Sequence, residues 1–157
     1  MFYLRCSSLL LLLGFVVGCG GSGDRVTGTV TFADGTPLTV GKVMFTNNSV
    51  TAFGNINAKG EFRMGTNKAG DGVPSGTYQV YITDARVPAS FTIQDEDGNT
   101  SAPLVLAIDP KFTTPARSGL TCEVKGATTF NISVEKLPAN YSPTKMLDPV
   151  SRGRGSN

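Results

Sequence analysis

Apolar and polar residues alternate along most of the chain with a period of two, the signature of strands with one buried face. In RVTGTVTFA, Val26, Gly28, Val30 and Phe32 share one side. Asp34-Gly35 predicts the first turn, and Pro37 stiffens its exit. GKVMFTN sets Val43 and Phe45 together, and Asn47-Asn48-Ser49 predicts the next turn. VTAFGNI reads as a third strand, with Gly54 predicting a bulge inside it. NAKG, residues 57–60, predicts a turn ending on glycine, and EFRM then sets Phe62 and Met64 two apart. TNKAGDGVPSG is a loop by composition. TYQVYIT is the clearest strand, with Tyr78, Val80 and Ile82 inward and Gln79 and Tyr81 outward.

Residues 84–118 alternate less regularly, with a short strand expected in SAPLVLAID. Pro110 and Pro115 deny donors to a ladder, so PKFTTPARSG predicts an extended loop. LTCEVKG and TTFNISVEK then read as a closing hairpin about Gly126-Ala127, with Phe130, Ile132 and Val134 on one face. No segment of useful length carries a helical period. About seven short strands joined by turns predict an all-β antiparallel sandwich, Ig-like or transthyretin-like, because a single open sheet would leave every apolar face wet.

The start of the chain follows another pattern. Leu9 to Val17 is apolar apart from Gly14 and preceded by one charge, Arg5. It is too short for a spanning helix, which needs about 20 residues, and has the length of a secretory signal core. Its last residues, Val16-Val17-Gly18-Cys19, resemble the bacterial lipobox. That resemblance implies cleavage between Gly18 and Cys19, diacylation of Cys19 on sulfur, and attachment to a membrane. Two or more acyl chains anchor stably where one does not. Gly20-Gly21-Ser22-Gly23 supplies a flexible tether. The expected organisation is a signal over 1–18, lipidated cysteine and tether over 19–24, sandwich over 25–136, and an extended or disordered tail over 137–157. The implied location is the bacterial cell envelope. Gly20 does not resemble an acidic retention signal, which favours the outer membrane and leaves its face open.

Charge and composition remove several function classes. A net charge of +2 offers no basic field for nucleic acid. The chain has no His, so the usual general base, the Ser-His-Asp arrangement and the commonest transition-metal ligand are missing. With Cys6 in the signal and Cys19 lipidated, Cys122 is left alone, so no disulfide can form within the mature domain; its alternating strand reads it as a small buried apolar residue, with an intermolecular disulfide or a reactive thiol as the alternative.

The order of motifs resembles the carboxypeptidase-regulatory-like, or transthyretin-like, domain. VTGTVTFADGTPLTVGKVMFT matches its opening V-x-G-x-V strand and D-G-x-P-L turn. NINAKGEFRM matches its D-x-x-G-x-F turn, with Asn57 where Asp is usual, and VPSGTYQVYI matches its P-x-G-x-Y-x-V strand. KFTTPARSGLTCEVKGATTFNISV is similar to the end of small bacterial lipoproteins carrying this domain, with Phe112 in place of Tyr. The match runs from Val26 to Glu135. It implies a sandwich and no catalytic group, since the enzymes of this fold rely on His.

Candidate sites are few. Asp95, Asp97 and Asn99 have the first spacings of a calcium loop, but Thr100 stands where the loop needs Gly and Leu106 where it needs Glu. A solvated turn fits them better. Arg86, Arg117 and outward Tyr81 are candidate partner contacts. The functional expectation is a lipid-anchored envelope protein, non-enzymatic and without cofactor. Its sandwich would bind another envelope component, protein or glycan, through edges and loops. The alternative is a carbohydrate- or calcium-binding module using the Asp84–Gly119 region.

Overall fold

The computed structural model describes residues 23–137. The expectations for Gly18, Cys19, the signal and nearly all of the tail lie outside the described residues. Two four-stranded sheets face each other. The first is centred on β1 (Val26–Phe32), with β4 (Glu61–Arg63) on one side and β11 (Thr128–Thr129) and β12 (Ile132–Val134) on the other. The second has the order β10 (Leu120–Val124), β5 (Gly76–Thr83), β2 (Lys42–Thr46), β3 (Thr51–Asn55). Alternation put the right residues inside. Val26, Val30, Phe62, Met64, Ile132 and Val134 from the first sheet meet Val43, Phe45, Ala52, Tyr78, Val80, Ile82, Cys122 and Val124 from the second. Each large apolar side chain so buried contributes about 1.5–3 kcal/mol. The expected all-β sandwich is the observed architecture.

The closing hairpin does not form. β10 pairs antiparallel with β5 (Cys122↔Tyr78), whereas β11 and β12 cross to the first sheet and run parallel to β1 (Val26↔Thr128, Val30↔Ile132). Both segments alternate cleanly, so periodicity alone cannot say which sheet each joins. A hairpin would have put both apolar faces on one sheet; crossing over gives each sheet the strand that closes it. The break between β11 and β12 fits the same packing. A Cβ on Gly28 would lie 1.9 Å from the Phe130 carbonyl oxygen, so the missing side chain is the space into which Phe130 folds. Its ring packs edge-on to Phe45 at 5.9 Å.

Gly54 forms no bulge. The β2–β3 register is unbroken through Val43↔Gly54, and the glycine is required because β4 passes close by, with the Arg63 carbonyl oxygen 2.8 Å from where a Cβ would be. The turn at 57–60 forms as expected, with Asn57 Oδ1 accepting from the N–H groups of Lys59 (2.8 Å) and Glu61 (3.0 Å).

Residues 110–119 are not an extended loop. Pro110–Thr113 is a 3-10 turn and α1 (Pro115–Ser118) a single helical turn, each opened by its proline, which loses nothing at a first helical position. Ser118 is buried; its hydroxyl donates to the Val80 carbonyl and accepts from the Leu120 N–H, tying α1 to the middle of β5.

Between β5 and these turns the chain leaves the sandwich as a ribbon. β6 (Arg86–Pro88) pairs with β9 (Leu104–Leu106), and β7 (Ile93–Gln94) with β8 (Thr100–Ser101), so the expected strand in SAPLVLAID is one rung of a longer arm. Asp84 turns the chain outward at φ 56° and pairs with Lys42 at 3.1 Å. Ala85 and Ile108 bury the arm's base in the core.

Candidate functional site

The outward positions of the first sheet form a polar groove. Thr27 and Thr29 alternate with the buried residues of β1, and pairing sets them beside Arg63 and Glu61 of β4. On the other side the parallel register brings up Thr129 and Asn131. Arg25, Asn55 and Asn57 complete an open groove of about 500 Å³. Asn131 Oδ1 accepts from both the Thr29 N–H (3.1 Å) and the Thr29 hydroxyl (3.0 Å), which fixes its amide with the NH₂ free to donate. Asn57 Nδ2 donates to Glu61 Oε2 at 3.0 Å, so the one carboxylate of the groove already has a partner. Arg25 and Arg63 belong to none of the four ion pairs among the described residues. The groove therefore carries two free guanidiniums, oriented amides and hydroxyls, and an excess of positive charge. Its one aromatic, Phe62, is buried, so recognition here would rest on hydrogen bonds and charge, without ring stacking.

A second groove of about 480 Å³ lies on the other sheet, lined by Thr46, Asn47, Asn48, Thr77, Tyr78, Gln79 and Thr121. It has no charged group. Burial pushes the Tyr78 hydroxyl up, against the opposing effect of the Asn47 side chain, and the hydroxyl is committed to the Pro74 carbonyl at 2.8 Å.

The residues singled out from sequence lie elsewhere. Arg86 is exposed at the base of the arm, Arg117 is exposed on α1, and Tyr81 is half-buried on the outer face of β5 opposite Met44. None of the three lines either groove, and no residue of 84–119 does. Asp95, Asp97 and Asn99 form the tip of the arm. There the Asp95 carboxylate accepts from the N–H of Asn99 (2.8 Å), the N–H of Asp97 (3.1 Å) and the Asn99 amide (3.2 Å). Those bonds, the Asn99 N–H first, hold it below the usual carboxylate range. Its oxygens serve the turn. Among the described residues no group of three or more His, Cys, Asp or Glu is gathered as a metal site. Cys122 is buried, and desolvation pushes its thiol up, away from the thiolate that reacts.

Arg25, Arg63, Asn57 and Asn131 escaped the sequence reading. Their outward positions were legible from alternation. Their convergence was not, because Thr29 and Asn131 are 102 residues apart in the chain.

No family model matches the chain, and no curated protein matches it. Among solved structures the chain is similar to a DUF3823 family protein from Bacteroides ovatus, at 12% identity and TM-score 0.40 over 73% of this chain and 45% of that one. It is also similar to BcpA, the major pilin subunit of Bacillus cereus, at 16% identity and TM-score 0.41 over 73% of this chain and 30% of the pilin. A 9R-lipoxygenase from Cyanothece gives 15% identity and TM-score 0.35 over 78% of this chain and 18% of the enzyme. The chain spans less than half of each of these proteins.

Proposed function

We propose that this chain is a lipid-anchored, non-catalytic β-sandwich of the bacterial cell envelope that binds a carboxylate-bearing glycan of that envelope. The lipobox-like Val16-Val17-Gly18-Cys19 supports the anchor, and the motif order from Val26 to Glu135 supports reading the sandwich as transthyretin-like. The observation that carries the binding role is the groove on the first sheet, where Arg25 and Arg63 lack carboxylate partners among the described residues. Its amides and hydroxyls suit the hydroxyls of a sugar, and its guanidiniums suit a carboxylate. Exposed ion pairs contribute only about 0.2–1 kcal/mol each, so single-site binding is weak and depends on repetition along a polymer. This differs from the expected use of the Asp84–Gly119 region, since both grooves lie outside it.

Retention on immobilised polygalacturonate, against a neutral dextran control, tests the groove. The unsubstituted chain is expected to be retained at low salt and released as salt rises. Arg25→Ala and Arg63→Ala should each elute earlier, and retention of both variants equal to that of the unsubstituted chain would remove the groove from the function. Uptake of labelled palmitate tests the anchor separately; it is expected in the wild type and lost in Cys19→Ala.

A further inference from the structure

From Gly23 onward the chain is held to the sandwich. The Asp24 N–H donates to the Val73 carbonyl (2.7 Å), the Val73 N–H donates back to Asp24 (2.9 Å), and the Ser75 hydroxyl donates to the Asp24 carboxylate. Gly23 itself packs so close that a Cβ on it would sit 2.4 Å from the Val73 nitrogen. Only Gly20, Gly21 and Ser22 separate this clamp from Cys19. Four Cα–Cα steps span at most about 14 Å, and the six steps to Arg25 at most about 22 Å. A domain anchored through Cys19 therefore keeps this end close to the leaflet that holds it. The arm leaves from the other end, after β5 has run from Gly76 to Thr83.

The groove on the first sheet begins at the clamped end, and it has a direction. Pairing of β1 with β4 sets Arg63 beside Thr27 and Glu61 beside Thr29. Arg25 and Arg63 thus mark the end nearest the tether. Thr29, with Asn131 bonded to it and Glu61 opposite, lies four residues farther along, roughly 13 Å. The acids around the clamped end are committed. Asp24 accepts from Ser75, Asp71 from the N–H groups of Thr66, Asn67 and Lys68, and Glu123 pairs with Lys125 at 2.6 Å. Outward from the anchor, the order is therefore two guanidiniums without carboxylate partners among the described residues, then amides and hydroxyls.

We propose that the groove takes the headgroup of an acidic glycolipid lying in the same leaflet as the anchor. The carboxylate of a uronic sugar meets Arg25 and Arg63, and sugar hydroxyls meet Asn131 and the threonines beyond. This rests on the binding role and the anchor proposed above, and it names the partner. Exposed guanidiniums bind one carboxylate weakly. A tether this short compensates, because it confines the groove to the layer that contains the headgroups, at an effective concentration on the order of millimolar. The leaflet repeats its headgroup in two dimensions as a polymer repeats its sugar along one.

The test uses the acylated chain purified from membranes, with lipid on Cys19 verified by mass, reconstituted in phosphatidylcholine vesicles. A chain without that lipid would overturn the anchor and this proposal together. The readout is capture of soluble fluorescent polygalacturonate. Plain vesicles should capture it, and the Arg25→Ala, Arg63→Ala double variant should not. No capture by the unsubstituted chain would remove the groove reading and this proposal with it. Glucuronosyl diacylglycerol in the same vesicles should fill the groove and lower capture about fivefold or more. Glucosyl diacylglycerol, which lacks the carboxylate, should leave capture unchanged, and phosphatidylglycerol at the same density should lower it far less. Undiminished capture beside the glucuronosyl lipid would overturn the proposal and leave the groove reading standing. Equal loss with phosphatidylglycerol would mean that surface charge alone acts, and would overturn the sugar acid as partner. Equal loss when the glucuronosyl lipid is confined to separate vesicles would overturn binding within one leaflet.

Discussion

Single residues in this chain act mostly by what they leave out or hold in place. Gly28 leaves out a side chain so that the Phe130 carbonyl can occupy the site. Gly28→Ala should cost about 3 kcal/mol, the upper end for overpacking. Urea unfolding would show it as a lower midpoint at unchanged slope. Asp95 holds its own turn through three hydrogen bonds. Calcium at millimolar concentration is therefore expected to leave the melting temperature unchanged and to give no heat of binding. A rise in melting temperature abolished by Asp95→Asn would show that the turn reorganises around the ion.

At the level of elements, the informative piece is the pair of turns at 110–118, where the sequence predicts extended chain and the structure has helical geometry. Proline gave the same residues two readings, since it is as acceptable at the start of a helical turn as in an extended loop. Burial of Phe112 and the hydroxyl link from Ser118 to Val80 decided between them. Ser118→Ala removes that link and leaves a buried carbonyl short of a donor. It should destabilise the chain by about 1–3 kcal/mol, measured by thermal or urea unfolding. Amide exchange should also quicken at Leu120, whose N–H bonds the same hydroxyl at 3.3 Å.

The whole molecule responds to acid through carboxylates used as local scaffolds. Partial desolvation pushes Asp71 up, but the N–H groups of Thr66, Lys68 and Asn67 outweigh this and bring it below its ordinary value. Asp34 is held far below the carboxylate range by Lys136 first and then Thr36. Depressed folded values mean that these groups contribute fully above the unfolded value of about 3.9 and lose that contribution as pH falls through their folded values. Stability is thus expected to be flat around neutrality and to decline below about pH 4. Asp71→Asn should lower stability at pH 7 and shallow that decline. A variant curve parallel to the wild type down to pH 2 would mean that the loop does not draw on the charge.

Alternation by itself determined which side chains are buried, because a strand's period of two leaves one face for the core whatever its neighbours. It also gave the turns at Asp34-Gly35 and 57–60, whose chemistry is local. The tertiary structure alone decided which strands are neighbours. β10 and β12 carry the same pattern yet serve opposite sheets, and Gly54 answers to a strand passing beside it. The groove belongs to the same class. Arg25, Thr29, Arg63 and Asn131 are ordinary outward residues in sequence and become one surface only when residues 102 apart are paired, an outcome of long-range packing that no local propensity encodes.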